Sequence, residues 1–165
     1  MGLPQLLAIA RQTIAQVPLC MAVTVAENGE AHARVVQPGP LREDWSVGFM
    51  TERYCRKVQE IQRTGRLTLA YQCDAQKAYV SLSGRPVVMD DIALKRAIWS
   101  PASDLFHPGG QDDPNVVVVR LLVDCIEIYN ASQGIQPSPV GLNAAVLRRV
   151  DTGWRLESST QKLQA

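Results

Sequence analysis

Residues 49–62, FMTERYCRKVQEIQ, place a hydroxyl and three cations where a strand-like run gives way to a helix-like pattern. The groups are Thr51, Arg53, Arg56 and Lys57. A helix N-terminus presents unpaired backbone N–H groups and a partial positive charge, so an anion there is stabilised. Arg53 and Lys57 are four apart and share a face if that first turn is helical, with Arg56 pointing about 100° from Lys57. Such cations, with a threonine hydroxyl closing the strand, suit a phosphate dianion. The alternative is a solvated helix face, on which Arg and Lys beside Glu52 and Glu60 only keep the protein soluble.

A further charge bears on the choice. Along AHARVV, His32, Arg34 and Val36 alternate onto one face, with Ala33 and Val35 on the other. Arg34 stands in an otherwise apolar strand, where a charge requires a partner. If this strand neighbours the one ending at Thr51, Arg34 reaches the same anion as Thr51 and Lys57. Otherwise it reaches solvent at a sheet edge or pairs with a carboxylate such as Glu43.

The elements that must position these groups follow from periodicity. Leu3, Leu6, Leu7, Ala10, Ile14 and Val17 recur at three- and four-residue steps, so the chain opens with an amphipathic helix, Pro4 in its first turn. Two apolar runs flank Asn28-Gly29, a hairpin signal that predicts a type I′ turn. WSVGFMT is a third strand, and the helix after it carries Tyr54, Val58 and Ile61 on one stripe and ends near Thr64-Gly65. RLTLAYQC and KAYVSLSGRPVVMDD are two more strands; Gly84 marks a bulge or close backbone approach, and Pro86 an edge or irregularity. DDIALKRAIWS reads as a helix with an aspartate N-cap. A turn-rich segment leads into the long strand VVVVRLLVDCIEIYNAS; QGIQPSPVG then reads as a linker, and AAVLRRV and GWRLES as a terminal hairpin. Connections too short for parallel crossovers make this a mainly β protein, an antiparallel β-barrel with peripheral helices. We expect a barrel domain over 1–132 and a C-terminal extension over 133–165 that belongs to it.

The 165 residues suit one domain, and a net charge of +1 argues against nucleic acid as a partner. Cys20, Cys55, Cys73 and Cys125 are widely separated, and with His32 and His107 they make no metal-ligand spacing. No metal site is expected, and the thiols read as reduced and buried. The N-terminal stretch lacks the basic region of a signal peptide, and the apolar runs are too short to span a bilayer, so a cytoplasmic protein without membrane contact is expected.

The succession ARVVQPG, WSVGFMTERYCRKVQEI, LTLAYQ, AYVSLSGRPVVMDD and FHPGGQDDPNVVVVRLLVDCIEIY resembles the pyridoxamine 5′-phosphate oxidase-like flavoproteins, and within them the general stress protein 26 branch. The likeness runs from about residue 19 to residue 132. It implies a split β-barrel that binds FMN in a groove between the subunits of a homodimer. It implies that Arg34, Thr51, Arg56 and Lys57 hold the FMN phosphate. Val35, Val36, Phe49 and Met50 would supply backbone and apolar contacts along the ribityl chain and ring, and Gln72 a further flavin contact. Two departures count against vitamin B6 oxidation: VVQPG lacks the lysine that follows the strand arginine in true pyridoxamine phosphate oxidases, and GWRLESS lacks their terminal Arg-x-His. Tyr129 stands where many relatives have tryptophan.

The expected function is therefore FMN binding by a flavin-dependent oxidoreductase, with NAD(P)H or another small molecule as electron donor. A non-catalytic flavin store or stress-response protein uses the same binding residues, and a deazaflavin in place of FMN stays open. No residue stands out as a catalytic acid or base. Cys55 reads as a core thiol, His107 as a surface histidine and Asp112 and Asp113 as turn formers. Trp45, Trp99 and Trp154 read as core or interface residues.

Overall fold

The structure, a computed structural model, describes residues 1–135 and 144–157. Most of the linker expected at 133–141 lies outside the described residues. Helix α1 (Leu3–Ala15) buries Leu6, Ala10, Thr13 and Ile14, and the Gln5 side chain accepts a hydrogen bond from the Gly2 amide. Strands β1 (Cys20–Val25) and β2 (Ala31–Val36) form the hairpin. Its turn is not type I′. Gly29 takes φ +87°, but Asn28 keeps a negative φ, and the Gly29 amide bonds to the Ala26 carbonyl while the Ala26 amide bonds to that of Glu30. That is a three-residue loop with a glycine bulge, which needs only one left-handed residue.

Strand β3 (Ser46–Glu52) leads to helix α2 (Arg56–Thr64), strand β4 (Leu67–Cys73) and strand β5 (Ala78–Met89). Helices α3 (Ile92–Ile98) and α4 (Ser103–Phe106) follow, then the 15-residue strand β6 (Val116–Asn130) and the hairpin β7 (Ala145–Val150) and β8 (Gly153–Glu157). Asp91 caps α3 by accepting from the Leu94 amide at 2.9 Å. All ladders are antiparallel, in the order β2-β1-β4-β5-β6-β7-β8.

The length of β6 shapes the barrel. Its first half pairs with β3, and Cys125 to Ile128 pair with β7. A bridge between Pro38 and Phe49, with the Gly39 amide on the Gly48 carbonyl at 2.7 Å, brings the chain after β2 against β3 and closes the ring. The side chains of Val47, Phe49, Leu69, Leu82, Val119, Leu121 and Ile126 fill it, all fully buried. The register shifts between Ser83 and Gly84, where a Cβ would lie 2.1 Å from the Leu122 carbonyl oxygen, so only glycine fits. Beyond Gly84, β5 has no β4 partner, and Pro86 sits on that edge. The result is the mainly β barrel with peripheral helices that the sequence leads one to expect. No described helix is long and apolar enough to cross a membrane.

Candidate functional site

Helix α2 organises the site. Val58 and Ile61 are buried and seat it against the barrel, Cys55 is its N-cap, and Gly65 ends it at φ 64° with its amide on the Ile61 carbonyl. The Val58 amide bonds to the Cys55 carbonyl at 3.1 Å, while the Arg56 and Lys57 amides have no partner among the described residues and are open to an anion. Around the helix stand two polar clusters.

The first is built on Lys57. Its ammonium donates to the hydroxyl of Thr51, the buried residue opposite Val117 near the end of β3, and lies 3.6 Å from the sulfur of Cys55. The Cys55 sulfur is 3.5 Å from the Thr51 oxygen. Among the described residues no carboxylate pairs with Lys57. Burial works to raise the Cys55 pKa, but the Thr51 hydroxyl, the Val58 amide and the Lys57 ammonium outweigh it and hold the thiol below its usual range. Cys55 is thus half-buried, packed against the core as its neighbours suggest but also beside a cation, and Tyr54 is exposed and off the apolar stripe.

The second cluster centres on Glu60, whose carboxylate is buried. It accepts from the Thr24 hydroxyl, from His32 Nδ1 at 2.6 Å and from the Arg34 guanidinium at 3.4 Å. Arg34 also donates to the Thr24 hydroxyl at 2.5 Å and to the His32 carbonyl at 2.9 Å. Arg56, one turn before Glu60, approaches to 3.8 Å and is 67% exposed. Burial would raise the Glu60 pKa; the bonds from Thr24 and His32 and the charges of His32 and Arg34 outweigh it and hold the carboxyl below its usual range.

Thr51, Arg56 and Lys57 therefore lie at the start of α2 and Arg34 against its middle, by a route the sequence does not announce. Strands β2 and β3 are not ladder neighbours; the Pro38–Phe49 bridge joins the chain after β2 to β3. Arg34 reaches α2 through Glu60, and Glu60, not Glu43, is its carboxylate. Arg53 falls outside the helix and turns away, bonding to Asp90 at 2.5 Å and to the Pro114 carbonyl at 2.8 Å. Asp90 also meets Lys95, a fully buried lysine whose ammonium bonds to the Val116 carbonyl at 3.0 Å. Arg53 thus belongs to a structural clamp.

The other expected contacts divide. Val35 is 59% exposed and Met50 half-buried, while the side chains of Val36 and Phe49 are turned into the core. Gln72 is exposed on the opposite face of the sheet from Arg34, since Arg34 is in register with Ala22 and Leu69 while Gln72 follows Leu69 by an odd step. It lines a cavity of about 560 Å³ with Met21, Ala70, Tyr79 and Tyr129. His107 is half-buried, 6.0 Å from Trp99 between ring centres. Its pKa is lowered by burial and by the Lys57 charge, against Glu52 and Asp113, which places it in electrostatic reach of the first cluster.

Glu60 is the residue that sequence reasoning missed, taken there for part of a solvated face. The signal was available in Thr24, His32 and Arg34, polar residues on inward positions that require a common partner.

Comparison with known proteins gives the family. The family profile described as "Pyridoxamine 5'-phosphate oxidase like" matches residues 8–148. The chain belongs to this family. It is 25% identical over 124 residues to general stress protein 26 of Bacillus subtilis strain 168, covering 73% of this chain and 84% of that protein. This pyridoxamine 5′-phosphate oxidase-like chain also shares its fold with a pyridoxamine 5′-phosphate oxidase-related, FMN binding protein from Nostoc punctiforme PCC 73102. The TM-score is 0.71 at 17% identity, covering 95% of this chain and 96% of that one. A protein related to general stress protein 26 from Clostridium acetobutylicum aligns with a TM-score of 0.66 at 20% identity, over 78% of this chain and 90% of the other.

Proposed function

We propose that this protein binds FMN with the phosphate held at the start of α2, and that it works as a flavin-dependent oxidoreductase. The observation that carries the reading is the Lys57 ammonium, fixed on Thr51 beside uncapped helix amides and without a carboxylate partner among the described residues. That donor set fits a dianionic phosphate. Exposed Arg56 adds a further cation, and Arg34 lends part of its charge from the Glu60 cluster. The similarity to an FMN binding protein supports the same cofactor. Bound flavin supplies the redox chemistry, with NADH, NADPH or another small molecule as donor; the chain's own residues bind, orient and neutralise. Vitamin B6 is not the expected substrate, for the sequence departures given above.

The dimer belongs to this proposal. Val35, Met21 and Ala70 lie in one cross-strand row on the outer sheet face, with Leu19 and Tyr79 nearby, all apolar and mostly exposed. A second copy is the natural cover for such a face. Gln72 lies on it, away from its own Lys57, and so serves a flavin held by the partner.

Reconstitution with FMN followed by desalting tests the binding. Retention of the two-band visible spectrum of oxidised flavin supports it, and a colourless protein overturns it. Reduction of the retained flavin by NADH or NADPH, with turnover, separates an oxidoreductase from a flavin store.

A further inference from the structure

A larger cavity, about 670 Å³, lies at the other end of β3, lined by Asp44, Arg66, Arg85, Leu122, Asp124 and Arg149 among others. At about 3.3 Å per residue, the start of β3 is roughly 16 Å from Thr51, so this is not the flavin phosphate cradle. The β5–β6 bulge forms part of its wall: Ser83 pairs with Cys125 and Gly84 with Val123, which leaves Asp124 as the extra residue.

The charges lining it do not cancel. Asp44 is paired with Arg120 at 2.8 Å, an arginine outside the cavity lining, and Asp124 with Arg66 at 3.4 Å. Arg85 and Arg149 remain. The Arg85 guanidinium is exposed and has no hydrogen bond or ion pair among the described residues. Arg149 is anchored without being neutralised. Its Nε donates to the Val123 carbonyl at 3.1 Å and its Nη2 to the Asp44 carbonyl at 2.5 Å, and its guanidinium lies 4.8 Å from the Trp154 ring centre. A guanidinium carries five N–H donors, so donors remain for a ligand, and a fork already held in place loses little freedom on binding. A space of several hundred Å³ holds a small molecule, not merely an ion.

We propose that this cavity is a second anion site, separate from the flavin site, which takes a small organic anion by its phosphate or carboxylate group between Arg85 and Arg149. The site does not depend on flavin binding. The two chemistries share the same recognition, a bidentate oxyanion on a guanidinium.

Two-dimensional amide NMR of the full chain, titrated with inorganic phosphate and separately with succinate at constant ionic strength, tests it. The expected result is saturable movement of the Gly65, Arg66, Val123 and Asp124 signals with at least one probe, the tighter probe naming the class. In Arg85→Gln the affinity falls roughly tenfold or more, the worth of a charge-assisted hydrogen bond. Phosphate at the flavin cradle moves the Arg56 and Lys57 signals instead and is untouched by Arg85→Gln. No saturable movement at the cavity with either probe, or equal affinity in Arg85→Gln, overturns the proposal.

Discussion

Two cation clusters meet on α2, and they differ in what neutralises them. Arg34 faces a buried carboxylate, Glu60, that it shares with His32 and Thr24, so most of its charge is met within the fold. Lys57 faces a hydroxyl and a thiol, which orient an ammonium without cancelling it. The first arrangement is what a barrel needs to hold a helix on its wall. The second is what an anion needs to find a cation waiting. A sequence shows only that Arg, Lys and His are near one another; the distinction lies in which carboxylate each one meets.

The comparison breaks most visibly at Glu60. Glu60→Ala leaves part-buried Arg34 and His32 without their carboxylate, and we expect a loss of about 3 kcal/mol in urea unfolding. A loss under about 1 kcal/mol contradicts the structural role. Lys57→Ala has the opposite profile: stability within about 1 kcal/mol of the parent, but FMN affinity lower by roughly tenfold or more. Arg34→Ala removes a partner of Glu60 as well as a cation that the proposed phosphate site draws on, and lowers both, so its effect on flavin is read only alongside its unfolding midpoint.

Acid sharpens the contrast. The Glu60 carboxyl is held below its unfolded value, so its contribution is complete above the ordinary glutamate range, near about 4.3, and is lost as pH falls through the folded value. The stability gap between the parent and Glu60→Gln therefore narrows between neutral pH and about pH 3; a gap that stays constant removes the ionised pair from the account. The smallest expected effect is at Cys55. Its lowered pKa makes it the first of the cysteines to react with iodoacetamide near neutral pH, and in Lys57→Ala its lead shrinks. Mass mapping of the labelled peptides decides it, and equal labelling with and without the lysine separates the thiol from the cluster.

Much of the barrel is legible in the sequence because local rules act over short distances. Gly84 marks the bulge, Pro86 the edge and Asp91 the cap, each by its own backbone or side-chain chemistry. The Asn28-Gly29 hairpin is legible too, but not its turn type, since both types place glycine in the left-handed region and differ at Asn28. What stays hidden depends on distant partners. Nothing local to α2 says that Glu60 is buried, because its partners sit on β1 and β2, tens of residues upstream. Lys95 hides in the same way, its carbonyl partners supplied by the segment entering β6. Trp45 adopts φ +61° although it is bulky, and holds that conformation within a packed pair with Trp154 and beneath Arg11. Arg53 shows the reverse error, a cation well placed in sequence that the fold spends on Asp90.

The central claim is that Lys57 is held uncompensated for a phosphate. The most direct test is the affinity of the parent and of Lys57→Ala for FMN and for riboflavin, which lacks the phosphate, measured by quenching of flavin fluorescence. The account predicts that the parent prefers FMN strongly and that Lys57→Ala loses most of that preference while its riboflavin affinity hardly changes. An equal preference for FMN in both proteins would contradict it.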